Sequence, residues 1–302
     1  MDGSEHAESG VGARVRQARM AAGLSLRETA QRIAVSPATL SAVENGKTGV
    51  SIPRLRALAS TLGTTVSWLI GEQEPDVGAT RSPARRGAGP GPDIDTPHAW
   101  RKFPPLDIDP VLGAAIDSFV ETGYHGATMR SIARRAGMSV PGVYHHYRDK
   151  QELLVRALDL TMDELHWRVR AARREADTGP GRVARVVEAL ALFHTHRREL
   201  AFIGASEMRS LNPDNRLRIT ASRNMLQYLL DDDIDAAVSE ENLPTRHARI
   251  AGRAIATMCT SLPQWFRLGG AETPEDIATE YAHFALGLLG VRDRGAGNSS
   301  RP

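Results

Sequence analysis

The residues with the clearest chemical potential lie in one basic stretch, from Thr128 to Lys150. Thr128 is a helix-capping residue, and Gly137 ends the short helix that it starts. Ser139 caps a second short helix, and Pro141 lies in its first turn, where the missing N–H costs little. Five basic residues accompany a single acidic one in this stretch: Arg130, Arg134, Arg135, Arg148 and Lys150. This excess of positive charge predicts contact with phosphates.

Two short helices joined at a glycine are typical of the helix-turn-helix motif, whose second helix enters the major groove of DNA. The first helix would position the second, and we expect Thr128 and Arg130 at its start to contact DNA. The other predicted contacts lie on or beside the second helix: Ser139, Val140, Pro141, Gly142, Tyr144, His145 and Lys150.

Residues 106 to about 158 resemble the DNA-binding head of the TetR (tetracycline-repressor) family. The resemblance rests on the segments FVETGYHGAT, SIARRAGMS and VYHHYRDKQELL. It implies a three-helix head that binds a double-stranded DNA operator as part of a homodimer, because a palindromic operator requires two heads. The sequence departs from the family at Val140, where a lysine is common after the capping serine. The base preference of the head therefore stays open.

A second helix-turn-helix pattern occupies residues 11–73. Gly23 ends its first helix, Ser25 opens a capping box, and Gly46 closes the helix that Ser36 starts. The segments LRETAQRIAVSPATLSAVENGKT and LASTLGTTVSWLIGE resemble the XRE-type, or phage-repressor, domain. This resemblance implies a compact domain of five helices.

The XRE resemblance implies roles for particular residues. It pairs Arg19 with Glu44 as a structural link between the first helix and the end of the reading helix. It places the DNA contacts at Ser36, Pro37, Ala38, Thr39, Ala42, Asn45 and Lys47. Pro37, Ala38 and Ala42 take the base-facing positions, yet none of these side chains can hydrogen-bond to a base. The domain is therefore predicted to hold DNA but to read it poorly, and a protein-interaction module stays open as the alternative.

The whole chain is predicted to be all-α. The predicted parts are an XRE-type domain (11–73), a flexible linker (74–105), a TetR-type helix-turn-helix domain (106–152) and a helical ligand-binding and dimerisation domain (153–290). Residues 1–10 and 291–302 are predicted to be disordered tails. The linker is rich in Pro, Gly and Arg, and a flexible coil of its length spans roughly 30 Å.

Large apolar side chains and cations occur together late in the chain, and they predict a cavity for an apolar ligand that carries an anionic group at one end. The predicted ligand contacts are Arg223, Tyr228, Trp265 and Arg267. Ordinary core packing with solvated arginines is the alternative for each. The segment LPQWFRLGGAETPEDIATEYAHFALGLL resembles the C-terminal domain of TetR-type regulators of sterol and fatty-acid breakdown. That resemblance implies an acyl-coenzyme A effector and dimerisation through the last two long helices.

Composition and motifs argue against several functional classes. The 302 residues are 41% hydrophobic and 25% charged, and no apolar run reaches the ~18–20 residues that span a membrane. We find no motif for an enzyme, a cofactor or a metal site. The acidic run Asp231, Asp232, Asp233 and Asp235 is predicted to be a solvated helix face. The single cysteine, Cys259, predicts a buried thiol in a reducing, cytoplasmic setting, and the acidic start of the chain is unlike a signal peptide.

These features together predict a cytoplasmic DNA-binding transcriptional regulator. We expect a ligand-relieved repressor with two helix-turn-helix domains per chain and a body that senses a small molecule. The alternative is a TetR-type regulator whose first domain binds a protein and whose central head alone binds DNA.

Overall fold

The computed structural model describes residues 10–22, 24–71, 98–243 and 247–291, and these ranges contain helices and no strand. The all-α prediction is confirmed. The described chain divides into two units. The first comprises the residues up to Gly71 together with Leu217–Met225, and the second comprises residues 98–216 and 226–291. The predicted tails and most of the predicted linker lie outside the described residues.

Five helices form the described part of the first unit that precedes Gly71. They are α1 (Val11–Ala21), α2 (Leu26–Arg32), α3 (Pro37–Glu44), α4 (Ile52–Leu62) and α5 (Val66–Ile70). Local signals set their limits: the Glu28 amide donates to Ser25 Oγ at 3.2 Å, and the Thr39 amide donates to Ser36 Oγ at 3.0 Å. The helices share a buried core of Val15, Ala18, Leu40, Val43 and Leu58.

Helices also build the second unit, as a head followed by a body. The head helices are α6 (Pro110–Gly126), α7 (Met129–Arg135) and α8 (Val140–His146). The described body helices are α9 (Lys150–Arg173), α10 (Gly179–His196), α11 (Arg198–Ser206), α12 (Pro213–Glu240, of which Leu217–Met225 belong to the first unit), α13 (Ala248–Thr260), α14 (Leu262–Trp265) and α15 (Pro274–Leu289). The 24 residues of α9 extend about 36 Å at 1.5 Å per residue. The helix therefore runs from the head deep into the body.

The body has one large apolar core, to which α9, α10, α13 and α15 all contribute. Val187 and Leu192 of α10 are buried there together with Ile255 of α13. Cys259 lies in the same core and is fully buried, and this burial raises the pKa of its thiol to about 12. A neutral, inaccessible thiol is a packing residue.

The predicted linker extends too far along the chain, because residues 98–104, which we call the strap, pack against the body. The side chain of Trp100 is 1% exposed and belongs to the apolar core of the body. Its Nε1 donates to Glu175 Oε1 at 2.6 Å, and Arg101 Nε donates to Glu188 Oε1 at the same distance. The prediction failed because composition averages over a segment, whereas a single buried tryptophan removes enough apolar area from water to fix its neighbours.

Two carboxylates of α12 are buried, so the predicted solvated acidic face is wrong for these two residues. Asp231 and Asp233 are 4% and 1% exposed. Arg173 donates two hydrogen bonds to Asp233, at 2.7 and 2.8 Å. Burial raises the pKa of Asp231 to about 6, although a hydrogen bond from Gln227 and the nearby charge of Arg249 lower it. The burial of these carboxylates was not predicted because their arginine partners lie far away in the sequence.

Replacing Asp231 by Asn should stabilise the second unit at neutral pH. A folded-state pKa of about 6, above the unfolded value of about 4, means that folding favours the protonated carboxyl group. The resulting penalty is absent below the unfolded pKa and complete above the folded one. We expect Asp231→Asn to raise the free energy of unfolding by about 1–3 kcal/mol at pH 7.5, with the gain vanishing near pH 4.

Thermal unfolding of both proteins between pH 4 and pH 8 measures this difference. Asp235→Asn is the matched control, because Asp235 is exposed and bonds the same Arg249. An Asp231→Asn protein that is less stable than the parent at pH 7.5 would contradict a charge penalty at this position.

Candidate nucleic-acid interface

Capping bonds fix the two short helices of the head. Ser131 N donates to Thr128 Oγ1 at 3.0 Å, and Thr128 N donates to Ser131 Oγ at 2.9 Å, which closes the start of α7. The Gly142 amide donates to Ser139 Oγ at 3.1 Å and closes the start of α8. Gly137 lies between the helices with a φ of +66°, a left-handed conformation that glycine adopts without strain. Thr128 and Ser139 are therefore exposed capping residues at two helix starts.

The outer face of α8 carries the side chains that can reach DNA. Val143 is fully buried and anchors the helix to the head, so the opposite side faces outward. The exposed predicted contacts on α7 and α8 are Arg130, Pro141, Tyr144 and His145, and the half-buried ones are Val140 and Gly142. This combination of a fixed helix, an exposed aromatic ring and an exposed cation suits a helix that lies in a major groove.

Lys150 makes contacts within the head that the sequence did not predict. Its Nζ donates to the backbone oxygens of Tyr124 and Ala127, at 2.5 and 2.6 Å, and lies 4.3 Å from the centre of the Tyr124 ring. Burial lowers the pKa of this ammonium group. The side chain therefore joins the start of α9 to the end of α6, and its role as a phosphate contact stays a prediction.

A tyrosine at the end of the reading helix makes a contact that sequence reasoning missed. Tyr147 follows α8, and its hydroxyl donates to Asp109 Oδ2 at 2.5 Å. The other oxygen of Asp109 accepts from the amides of Val111 and Leu112, both at 3.0 Å, and so caps α6. Burial and the Asp109 carboxylate raise the pKa of Tyr147 far above its ordinary value. The capping role was readable in the sequence, whereas the bond across 38 residues was not.

In the first unit, Arg19 and Glu44 form a two-point ion pair. Arg19 Nε lies 2.6 Å from Glu44 Oε1, and Arg19 Nη2 lies 2.9 Å from Glu44 Oε2. A third bond runs from Arg19 Nη1 to the backbone oxygen of Leu24 at 3.1 Å. The carboxylate is nearly buried, and its pairing raises the pKa of the arginine. The pair ties α1 to the end of α3, as the XRE resemblance implies.

The exposed side of α3 offers few groups to a base. Pro37 and Ala38 are exposed, while Thr39 and Ala42 are half-buried. Ser36 and Thr39 are engaged with each other, with 2.8 Å between their hydroxyl oxygens. After the helix, Asn45 and Lys47 are exposed. Between Gly10 and Gly71 the sequence has eight basic residues and two acidic ones, a charge balance that favours contact with phosphates.

The four predicted ligand contacts do not form one enclosed site in either unit. Arg223 belongs to the first unit, and Tyr228, Trp265 and Arg267 belong to the second. Tyr228 is fully buried, whereas the side chain of Trp265 is 51% exposed. Arg267 is exposed and donates to the backbone oxygen of Phe266 at 2.9 Å. Trp265 is the last residue of α14 and Arg267 follows that helix, and both are exposed. Their role as ligand contacts therefore stays a prediction.

The described ranges contain no metal-binding cluster and no membrane-spanning helix. No group of three or more His, Cys, Asp or Glu side chains in those ranges could hold a metal ion. No helix in the same ranges is both long enough and apolar enough to cross a membrane.

Comparison with known proteins identifies the second unit. The family "Bacterial regulatory proteins, tetR family" matches residues 111–157, and "Tetracyclin repressor-like, C-terminal domain" matches residues 176–289. The chain belongs to the TetR family of transcriptional regulators. A separate family, "Helix-turn-helix", matches residues 15–69. Members of these families are transcriptional regulators and not enzymes.

Two curated relatives are named as regulators, and one of these names refers to fatty acid metabolism. The HTH-type transcriptional activator FasR of Mycolicibacterium smegmatis is 41% identical over 86 residues, which are 28% of this chain and 39% of FasR. The fatty acid metabolism regulator protein of Bacillus subtilis is 24% identical over 143 residues, which are 46% of this chain and 74% of that protein. The chain thus matches less than half of the length of FasR.

Solved structures give the same family fold. A tetR-family regulatory protein from Rhodococcus RHA1 is 28% identical with a TM-score of 0.57, and the match covers 61% of this chain and 97% of that one. AibR in complex with isovaleryl coenzyme A and operator DNA is 22% identical with a TM-score of 0.54, covering 58% of this chain and 95% of that one. At that identity AibR shows a likeness of fold alone.

The contrast between Lys150 and Arg130 can be tested by substitution. Lys150→Ala removes a donor from two backbone oxygens, so we expect the free energy of unfolding to fall by about 1–3 kcal/mol. Arg130→Ala removes an exposed cation, so we expect unchanged stability and a salt dependence of DNA binding that is about one unit shallower. Urea unfolding and binding titrations at several salt concentrations measure both effects. Unchanged stability of Lys150→Ala, together with a shallower salt dependence, would contradict the structural role and support Lys150 as a phosphate contact.

Proposed function

We propose that this chain is a homodimeric, cytoplasmic repressor that releases its DNA operator when a small molecule binds the body. The observation that carries the proposal is the exposed face of α8, where Tyr144 and His145 project from a helix anchored by Val143. Arg130 at the neighbouring helix start supplies an exposed cation for the DNA backbone. The predicted contacts at Ser139, Val140, Pro141 and Gly142 belong to the same surface.

The body supplies a surface that fits a second copy of the chain. Phe284 and Leu288 of α15 are 52% and 53% exposed, and Ile250 of α13 is 67% exposed. Phe284 and Leu288 are four residues apart and therefore lie on one face of α15, and exposed apolar side chains grouped in this way are typical of a contact surface. A two-fold dimer through the last long helices would present two heads to the two halves of a palindromic operator.

For the effector we propose a coenzyme A thioester of a fatty acid. The support comes from the relatives: one is named for fatty acid metabolism, and AibR was solved with isovaleryl coenzyme A. An effector can release DNA only if it binds the free and the DNA-bound forms with different affinity. Because FasR is named an activator, the sign of regulation is a separate question for promoter assays.

Calorimetry and operator binding test the effector class. We expect palmitoyl coenzyme A or isovaleryl coenzyme A to bind the full chain and to weaken operator binding by at least about five-fold, the lower end of ordinary coupling energies. Palmitate and coenzyme A, used separately, are the matched controls, because each carries only half of the proposed ligand. No binding by either thioester would contradict the proposed effector class and leave the assignment as a DNA-binding regulator intact.

The first domain is proposed to hold DNA beside the operator, with little choice of sequence. Exposed Asn45 and Lys47 and the excess of basic residues support contact with phosphates. Pro37 and Ala38 support weak base selection, because they offer no hydrogen bond to a base edge. The second candidate is a protein-interaction domain, which the same apolar helix face favours.

Footprinting of one operator with the full chain and with residues 98–302 decides between these two candidates. The shortened chain begins at His98 because Trp100 is part of the body core. We expect it to bind at least ten-fold more weakly, which is roughly 1.4 kcal/mol, and to protect less DNA at the outer flanks. Lys47→Ala should reproduce part of the loss, and exposed Met20→Ala is the control. Identical footprints and affinities would favour the protein-interaction domain.

A further inference from the structure

The strap lies along α9 and runs in the opposite direction. Its first residues are bonded beside the end of that helix, where Glu175 accepts from His98 N at 3.1 Å and from Arg101 Nη1 at 3.0 Å. Further along, Arg168 of α9 donates to the backbone oxygen of Lys102 at 3.0 Å. The strap is therefore bonded to α9 at successive points that approach the head.

Helix α10 holds the other side of the strap. Arg101 bonds both oxygens of Glu188, at 2.6 and 3.0 Å. The Phe103 ring stacks on His196 with 4.3 Å between ring centres and a 16° angle between the planes. Beyond the end of α10, Arg197 donates to the backbone oxygen of Pro104 at 2.7 Å. The strap thus bridges α9 and α10 over its whole length.

Five residues after the strap, Asp109 contacts the residue that follows the reading helix. Asp109 caps α6 and accepts the hydroxyl of Tyr147, the residue that follows α8. Residues 98–109 therefore connect the body to the end of the reading helix without using the backbone of α9. Each end of this connection is fixed by a bond to a side chain of another element, Arg101 to Glu188 at one end and Asp109 to Tyr147 at the other.

The connection is short and locally stiff. Ala99–Arg101 form a single 3-10 turn, and residues 102–109 contain no helix. Pro104 and Pro105 restrict the middle of this segment, because their rings fix the φ angle. A shift of the body at Arg101 is therefore either passed on to Asp109 or taken up by breaking a strap contact.

We propose that residues 98–109 form a second allosteric connection between the effector-sensing body and the reading helix, parallel to α9. Arg101 and Tyr147 are the positioning residues at its two ends, and neither contacts the effector. This inference rests on the proposed function, because it describes how effector binding reaches α8. A rearrangement of α9 against α10 changes the Arg101 bridge, displaces the strap, and shifts Asp109 together with Tyr147.

Coupling measurements on the full chain test the connection. The variants are Arg101→Ala, Tyr147→Phe and the double variant, and the readout is the ratio of operator affinities without and with palmitoyl coenzyme A. We expect each single variant to bind the operator within about three-fold of the parent and to lose most of the ratio. The double variant should lose no more than the larger single loss, because residues on one connection are non-additive. Arg185→Ala is the matched control, since it pairs with the same Glu188 at 2.7 Å without touching the strap.

A second readout needs no effector. We expect the amides of α8 to exchange with deuterium about ten-fold faster in Arg101→Ala than in the parent, with α13 unchanged and Arg185→Ala like the parent. If the parent does not respond to the thioester, the proposed effector class fails and this measurement still tests the connection. Full coupling in both single variants would overturn it, as would unchanged exchange in α8 or a general rise across all helices.

Discussion

The position of the reading helix depends on how one helix, α9, is held at its two ends. At the start of α9, the Lys150 ammonium group is bonded to the end of α6. Beyond its other end, Glu175 accepts hydrogen bonds from the strap. Because α9 contains neither proline nor glycine, it is expected to curve only gently, so contacts deep in the body set the angle at which α8 is presented. The orientation of the reading helix therefore depends on contacts in the body.

Buried ion pairs limit how the helices of the body can rearrange. Arg168 is 1% exposed and pairs with Glu164, while Arg173 and Arg182 converge on buried Asp233. Such groups are costly to bury unless each keeps its partner. A close-packed apolar core does not deform continuously, and paired charges must in addition be kept or exchanged. The body is thus suited to discrete arrangements, which is what a ligand-controlled regulator requires.

The two helix-turn-helix domains differ in what their reading helices expose. In the head, Tyr144 and His145 offer hydrogen-bonding groups. In the first domain, Pro37 and Ala38 offer only apolar contact, beside an exposed Lys47. Base selection and backbone attraction are separate sources of binding energy. On the proposed function, the head supplies selectivity and the first domain supplies additional affinity.

The sequence by itself determined the helices and their starts, because capping acts over three residues. Ser25, Ser36, Thr128 and Ser139 cap helices where the sequence analysis placed them. It also determined the family, since the two motifs are local. Tertiary structure alone decided the burial of Trp100, the bonding of Lys150, the exposure of Trp265 and the partner of Tyr147. Each depends on residues far away in the chain, and Trp100 meets Glu175 across 75 residues. Composition and spacing carry no information about such encounters, because burial is decided by which distant surfaces meet.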